Sequence, residues 1–424
     1  MSDRTAPPRF SVVICVYTEE RWGDILAAVR SVRAQSLPPL EVLLVVDHHA
    51  RLLDRLAREY AEERARGEVR VLANAGPRGL SAGRNTGIAA ARGAFVAFLD
   101  DDAVAEHDWL HHLAAGYDDP RVVAVGGRTL PSWASGRRPV WFPEEFDWVV
   151  GCTYRGLPPG RVRVRNVLGG NASFRRTAFD AAGGFATGIG RDGDRRPLGC
   201  EETELCIRLA NAVPEAVLLI DDRAVIHHKV PAVRERFAYF RTRVYAEGLS
   251  KALVAQSVGA GKGLESERRY TGRVLPAGVL RGLRDALLGR PGGAGRAGAI
   301  VTGVALAAGG YALGTLRARR GTSPAFSWGP IPRETPPGPE AAPAPEAAPR
   351  AEPVPRPKTT PGPEDLPEPD AVPGPDAAPR PGAVHEPDAA PGGPDSAPGP
   401  EAVPAPGAVS APGKPSAPAE GARA

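Results

Sequence analysis

Three consecutive carboxylates, Asp100-Asp101-Asp102, close the apolar run Ala94-Phe95-Val96-Ala97-Phe98-Leu99. The run reads as a buried strand, so the acids fall at its C-terminal tip, where open α/β sheets bind ligands. Paired carboxylates there are oxygen ligands for a hard divalent cation that also bridges phosphates. Taken alone, three aspartates also fit a solvated turn; the neighbouring motifs weigh against that. Asp47 ends a second apolar run, Glu41–Asp47, and so lies at the same sheet edge. It can accept from the imide N–H of a uracil or from a ribose hydroxyl, or it can cap the helix that follows. Gly79-Leu80-Ser81-Ala82-Gly83-Arg84-Asn85-Thr86-Gly87 reads as a loop running into a helix. Its glycines allow close backbone approach, and Arg84 can serve an oxyanion or a base carbonyl.

The elements that must position these groups alternate. Strands are expected at Phe10–Thr18, Glu41–Asp47, Val69–Leu72, Ala94–Asp100 and Val122–Val125, with helices at Ile25–Gln35, Arg51–Arg66 and Ala82–Arg92. Near-continuous apolar strands between helices argue for an α/β fold with a mostly parallel sheet covered on both faces. No Gly-x-Gly-x-x-Gly follows the first strand, which removes the main support for dinucleotide binding. Gly259-Ala-Gly261-Lys262-Gly263 lacks phosphate-loop spacing and reads as a linker.

Composition changes sharply along the 424 residues. After Pro330 lie 28 of the 46 prolines, with repeats such as Asp376-Ala-Ala-Pro379 and Asp388-Ala-Ala-Pro391. Such a segment buries too little apolar surface to offset its ordering entropy, so 321–424 is expected to be a disordered, acidic tail. The net charge of +4 hides a basic stretch, Lys229–Arg320, with 17 Lys and Arg against 5 Asp and Glu. Cys15, Cys152, Cys200 and Cys206 show no Cys-x-x-Cys pairing, which fits reduced structural thiols. The polar start, Met1–Arg9, lacks a signal-peptide pattern, and the expected location is the cytoplasm.

The ordered set Asp47, Arg84-Asn85 and Asp100-x-Asp102 resembles that of family 2 glycosyltransferases with the GT-A fold, over roughly Phe10–Val258. The resemblance implies that Asp47 contacts the nucleoside of a nucleotide-sugar donor, UDP-linked by expectation. It assigns Tyr17, Glu19, Arg84, Asp100 and Asp101 to the same donor site. Asp100 and Asp102 would hold Mn²⁺ or Mg²⁺ on the diphosphate, with Asp102 the more direct ligand. Gly169-Gly170-Asn171-Ala172-Ser173-Phe174-Arg175-Arg176 looks like the family's acceptor-side loop and strand. Gly170, Asn171 and Glu201 are thereby expected on the acceptor side. Glu202, in Gly199-Cys200-Glu201-Glu202-Thr203-Glu204-Leu205, resembles the family's general base, with Glu where many members carry Asp. On its own residues this pair is also readable as helix-start acids. His228, before Val230-Pro231, resembles a histidine that completes the metal site or contacts the diphosphate; an ordinary polar histidine is the other reading. The pairs His48-His49 and His111-His112 are expected at the surface. Trp141–Tyr154 and Tyr245-Ala246-Glu247-Gly248-Leu249-Ser250-Lys251 add a likeness to a prokaryotic subgroup that includes glucosyl-dolichyl phosphate glucuronosyltransferases.

These readings divide the chain into a flexible N-terminus (1–9), a nucleotide-sugar half (10–130), an acceptor half (131–232), a basic helical segment (233–320) and the tail. The expected reaction is inverting, metal-dependent sugar transfer to a lipid-linked or envelope glycan. Two rivals stand beside it: a sugar-phosphate nucleotidyltransferase, and an inactive interaction protein of the same fold. The nucleotidyltransferase should carry a Gly-rich basic loop after the first strand, and Val16-Tyr17-Thr18-Glu19-Glu20 is not one. The uncharged stretch Gly298–Leu316 is about long enough to cross a bilayer, yet rich in glycine and alanine. Phe237–Leu253 and Val274–Leu288 carry apolar stripes beside arginines, as interfacial helices do. Membrane spanning, docking on an anionic cytoplasmic membrane face and a plain helical subdomain all remain open. No aromatic-basic interleaving suggests nucleic acid.

Overall fold

A computed structural model describes residues 9–187, 191–192, 196–197, 199–258 and 269–320. The expected N-terminal flexible residues 1–8, the glycine-rich linker and the acidic tail lie outside the described residues.

The N-terminal half alternates strand and helix, with two helices between β2 and β3: β1 (Phe10–Val16), α1 (Trp22–Arg33), β2 (Glu41–Val46), α2 (Ala50–Glu59), α3 (Ala61–Ala65), β3 (Val69–Ala73), α4 (Leu80–Ala90) and β4 (Phe95–Leu99). All six residues of β2 and all five of β4 are buried, as expected of strands covered on both faces. β1 sorts its side chains by the two-residue period of a strand. Phe10, Val12, Ile14 and Val16 pack toward α1 and α2, whereas Val13 packs toward α4. Each such fully buried aliphatic or aromatic side chain contributes about 1.5–3 kcal/mol.

The chain continues through β5 (Ala103–Ala105), α5 (Trp109–Ala114), β6 (Val122–Trp133), β7 (Arg161–Arg163), β8 (Asn171–Arg175) and α6 (Ala178–Ala182). Two-residue strands β9 (Arg191–Asp192) and β10 (Arg196–Pro197) precede α7 (Glu201–Ala212) and the long β11 (Val217–Val230). The main sheet runs β3-β2-β1-β4-β8-β6-β11-β5, with β7 also on β11. It is parallel from β3 to β4; the antiparallel pairs are confined to the second half, where β8 inserts between β4 and β6.

Three helices follow: α8 (Phe237–Val258), α9 (Leu275–Leu287) and α10 (Gly293–Arg319). They enclose a third core, in which Phe142, Phe146 and Val150 from the second half meet Phe240, Val244, Leu275 and Ile300. α10 packs along α8 through glycine. A Cβ on Gly310 would collide with the Tyr245 carbonyl, and one on Gly314 would fall 2.6 Å from the Ala252 Cβ. Among the described helices α10 alone is long and apolar enough to cross a membrane, with mean hydropathy 1.6 in its most apolar window.

Candidate active site

Sheet register gathers the acids and one histidine. β5 begins directly after Asp102 and pairs antiparallel with β11, so that Ala103 lies opposite His228. His228 is therefore inside β11, and its Nε2 stands 3.1 Å from Asp102 Oδ1. Asp100, Asp102 and His228 offer ligand atoms that all lie within 4.8 Å of one another. Two glycines make room for this group. Gly170 approaches Asp100 so closely that a Cβ would collide with Oδ2, and a Cβ on Gly151 would sit 3.4 Å from the His228 ring.

Arg21, on the turn after β1, donates to Asp101 Oδ1 at 2.6 Å and lies 3.0 Å from Asp102 Oδ2. Burial pushes the Asp101 carboxyl up to about 7 against the pull of Arg21. Burial acts the same way on Asp102, but there His228, Arg21 and Arg234 outweigh it and hold the group well below the usual carboxylate range. Asp101 Oδ2 is buried and has no hydrogen-bond partner among the described residues. Two carboxylates and an imidazole in one cluster, beside an unmatched oxygen, are a donor set that fits a divalent cation such as Mn²⁺ or Mg²⁺.

A second acidic pair stands across Arg84. The expected loop running into a helix is found, with the helix α4 starting two residues earlier than the expected Ala82: only Gly79 (φ +130°) is outside it, and Gly83 and Gly87 serve helix-to-strand contact. A Cβ on Gly87 would fall 2.5 Å from Val13 Cγ1. Arg84 is thereby buried under the sheet edge, donating to Glu201 Oε1 at 3.0 Å with Asp100 Oδ1 at 3.8 Å. Its guanidinium also lies 5.1 Å from the Phe185 ring centroid. Arg84 ties the metal-side acids to the Glu201-Glu202 side.

Glu201 opens α7, and the residue before it, Cys200, is held at φ +73°. This is a conformation that non-glycine residues rarely adopt. The turn is fastened from α8: Cys200 Sγ donates to Glu247 Oε1 at 3.0 Å, and Gly199 N–H donates to Ser250 Oγ at 3.1 Å. The Tyr245–Lys251 stretch thus clamps the turn that presents Glu202. Burial, with the neighbouring Glu201 charge, pushes the Glu202 carboxyl up to about 8. Burial likewise raises all four thiols, Cys15 and Cys206 to about 12, so they stay protonated at neutral pH. None is in a disulfide.

One cavity of about 1260 Å³ joins these groups. Tyr17, Asp47, Arg84, Asp100, Asp101, Asp102, Gly170, Glu201, Glu202 and His228 all line it. Asp47 accepts from Asn74 Nδ2 at 2.7 Å and from Gly79 N–H at 3.0 Å. It braces the approach to α4 and does not cap α2, where His49 accepts from Leu52 N–H. Two expected site residues are elsewhere. Glu19 pairs with Arg51 at 3.2 Å and Arg55 at 3.5 Å, off the cavity wall, because α2 presents both arginines to it. Asn171 is fully buried in β8. It accepts from Trp109 Nε1 at 2.8 Å and donates to the carbonyls of Arg128 and Ala224 at 3.1 Å, so its amide is used inside the sheet and not on an acceptor.

Among the cavity residues not singled out from sequence are three arginines that bear on the site: Arg21, Arg234 and Arg243. Arg21 had one available signal, a lone cation five residues beyond the β1 tip; the other two had only their place in the basic stretch.

A family profile described as Glycosyl transferase family 2 matches residues 11–183. A glucosyl-dolichyl phosphate glucuronosyltransferase of Haloferax volcanii is 37% identical over 247 residues, covering 58% of this chain and 77% of that protein. A pre-mycofactocin glycosyltransferase of Mycobacterium tuberculosis is 32% identical over 146 residues, covering 34% of this chain and 29% of that protein. Among solved structures, a Pyrobaculum calidifontis mannosyltransferase in complex with GDP-Man and Mn²⁺ aligns with TM-score 0.46 and 20% identity, over 76% of this chain and 87% of that one.

Proposed function

The chain belongs to glycosyl transferase family 2, an enzyme family of GT-A fold, and from that membership we propose that it moves a sugar from a UDP-linked donor to a hydroxyl of a lipid-linked glycan acceptor. The observation that carries this reading is the Asp100–Asp102–His228 cluster sharing one cavity with Glu202. Asp47 and Tyr17 would take the nucleoside end of the donor, and Asp101 would orient the metal side through Arg21. Asp100, Asp102 and His228 would hold Mn²⁺ or Mg²⁺, which when bound neutralises the departing diphosphate. Glu202, as carboxylate, removes the acceptor hydroxyl proton while that oxygen forms its bond to the anomeric carbon. The bond from carbon to the diphosphate oxygen breaks on the opposite face, and the electron pair leaves with the nucleotide. The configuration inverts. Arg84 acts through the acids: it fixes Glu201 and Asp100 so that the two ends of the reaction keep their spacing.

The lipid-linked acceptor draws support from the activity for which the Haloferax relative is named and from the helices. α9 leaves Leu280, Leu283, Leu287 and Leu288 exposed on one side, beside the exposed Arg284 and Arg290. An apolar ridge with flanking cations suits the cytoplasmic face of an anionic membrane. The test is incubation with a panel of nucleotide sugars and a short lipid-phosphate glycoside, following nucleoside diphosphate release. Release that needs both a sugar donor and Mn²⁺ or Mg²⁺ is the expected result. Equal release in excess EDTA, or none with any donor, refutes the reading.

A further inference from the structure

One wall of the cavity carries cations that the reaction above does not use. Arg234 sits on the turn Ala232–Glu235 that follows β11 and is only 8% exposed. Its Nη1 is buried and meets no acceptor among the described residues. Arg243, on α8, donates Nη1 to Glu247 Oε2 at 3.0 Å, yet its Nε is buried without an acceptor in the same sense. Tyr239 lies one helical turn before Arg243 on α8, and the Arg234 guanidinium stands over its ring at 5.9 Å. All three line the cavity.

A buried donor left unmatched costs on the order of 1–3 kcal/mol, and more when charged. Two on one wall, both from guanidinium groups, mark a place built for acceptor oxygens that arrive with a ligand. The planar guanidinium matches the oxygens of a phosphoryl group. Position decides whose phosphoryl group it is. Arg243 stands against the turn that leads into Glu202, since a Cβ on Gly199 would lie 2.7 Å from its Nη2. Beyond it the cavity is lined by Gly303, Val304 and Ala307 of α10, surface suited to a hydrocarbon chain. We infer that Arg234 and Arg243 form a phosphoryl-binding wall, beside the Asp100–Asp102–His228 cluster, that takes the phosphate of a lipid-phosphate acceptor. The inference deepens the glycosyl-transfer reading and rests on it.

The full-length protein is titrated calorimetrically with farnesyl phosphate, with farnesol, and with UDP plus Mn²⁺, as wild type, Arg234→Gln and Arg234→Lys. Arg234→Gln is expected to weaken farnesyl phosphate by about tenfold or more, the scale of one hydrogen bond to a charged group. Farnesol affinity stays within about twofold, UDP–Mn²⁺ affinity falls less than farnesyl phosphate affinity although Arg234 also acts on Asp102, and Arg234→Lys recovers part of the loss. Arg243→Gln should act in the same direction, with its thermal melt followed because Glu247 loses a partner. A loss that falls on UDP–Mn²⁺ instead keeps the phosphoryl chemistry and assigns the wall to the donor diphosphate. Unchanged affinities for both phosphates in folded Arg234→Gln, or a wild type that binds farnesyl phosphate no better than farnesol with UDP binding untouched, overturn the inference. Failure of the glycosyl-transfer reading would show separately, as a wild type that neither binds UDP–Mn²⁺ nor releases nucleoside diphosphate.

Discussion

The two sides of the cavity are finished differently. On the nucleotide side, both Asp47 oxygens have donors, Asn74 and Gly79, and Asn74 is itself fixed by Thr86 and the Gly76 N–H. On the α7–α8 side, Glu201 Oε2, Arg234 Nη1 and Arg243 Nε are all buried without partners among the described residues. Asp101 Oδ2, at the metal-side acids, marks the boundary. Matched groups hold one shape before any ligand arrives. Unmatched ones raise the energy of the empty site, and a substrate that supplies the missing partners relieves it. Under the proposed reaction, recognition of a common donor would fall to the matched wall and discrimination among acceptors to the unmatched one.

The largest break in this contrast is expected at its boundary. Asp102→Ala should abolish Mn²⁺-dependent UDP binding and lower transfer by about a thousandfold or more, since it removes one ligand of the cation and the partner of His228. Calorimetry with and without EDTA checks it, with a thermal melt to show that the fold survives. Next comes the base. Glu202→Gln should lower turnover by about 10²- to 10⁴-fold while leaving UDP affinity alone, which separates the two sides kinetically. If Glu201→Gln proves the crippling change and Glu202→Gln mild, the roles of the two acids are exchanged.

The pH profile sharpens the same point. With its carboxyl raised to about 8, Glu202 is mostly protonated at pH 7 in the free enzyme, and the base form grows as pH rises. The rate should therefore climb about tenfold per unit below that value and level above it. Stability runs the other way. A raised acid stabilises the fold below its ordinary value of 4.5 and loses that contribution as pH rises toward 8. Melting temperatures across that window should decline less in Glu202→Gln; an identical decline would place the titration elsewhere.

On the finished side, Asn74→Ala removes one donor to Asp47, and a single net hydrogen bond is worth about 1 kcal/mol. The donor KM should rise about fivefold with kcat nearly unchanged. A fall in kcat instead would mean that Asp47 acts on the reacting end. The smallest expected effect lies outside the cavity. Leu283→Ser with Leu287→Ser should reduce sedimentation with anionic vesicles a few-fold without altering transfer to a water-soluble acceptor. Full-length protein with no lipid affinity at low salt would leave the basic helices as a solvated surface.

How legible all this was depended on range along the chain. β1, β2 and β4 could be read directly because parallel strands covered on both faces demand unbroken apolar runs, as in Glu41–Asp47. The acids at the strand tips followed from that. The helix after Gly79 was legible to within two residues of its start, but not the purpose of its glycines: Gly83 and Gly87 are there to let α4 touch β1. Asn171 was placed on the acceptor side by resemblance alone, but its amide closes three hydrogen bonds inside the protein, two to strands β6 and β11 and one to Trp109 of α5. His228 reaches Asp102 through pairing of β5 with β11, a contact spanning more than a hundred residues that no local pattern encodes. Arg84 bridging Asp100 and Glu201 is of the same kind.

The glycine seam between α8 and α10 has a mechanical consequence. Gly248, Gly310 and Gly314 bring the two backbones into contact, while Gly303 meets the Phe146 ring and Val304 and Ala307 face the cavity. α10 is at once the most apolar helix described and a side of the reaction chamber. Backbones this close hold the two helices together, so under the proposed docking the depth that α10 takes at a bilayer sets the height of the chamber. Under the proposed docking, the acceptor would then be met by lateral diffusion within the lipid plane and the donor by diffusion from water. The encounter with the acceptor becomes a two-dimensional search at a fixed level.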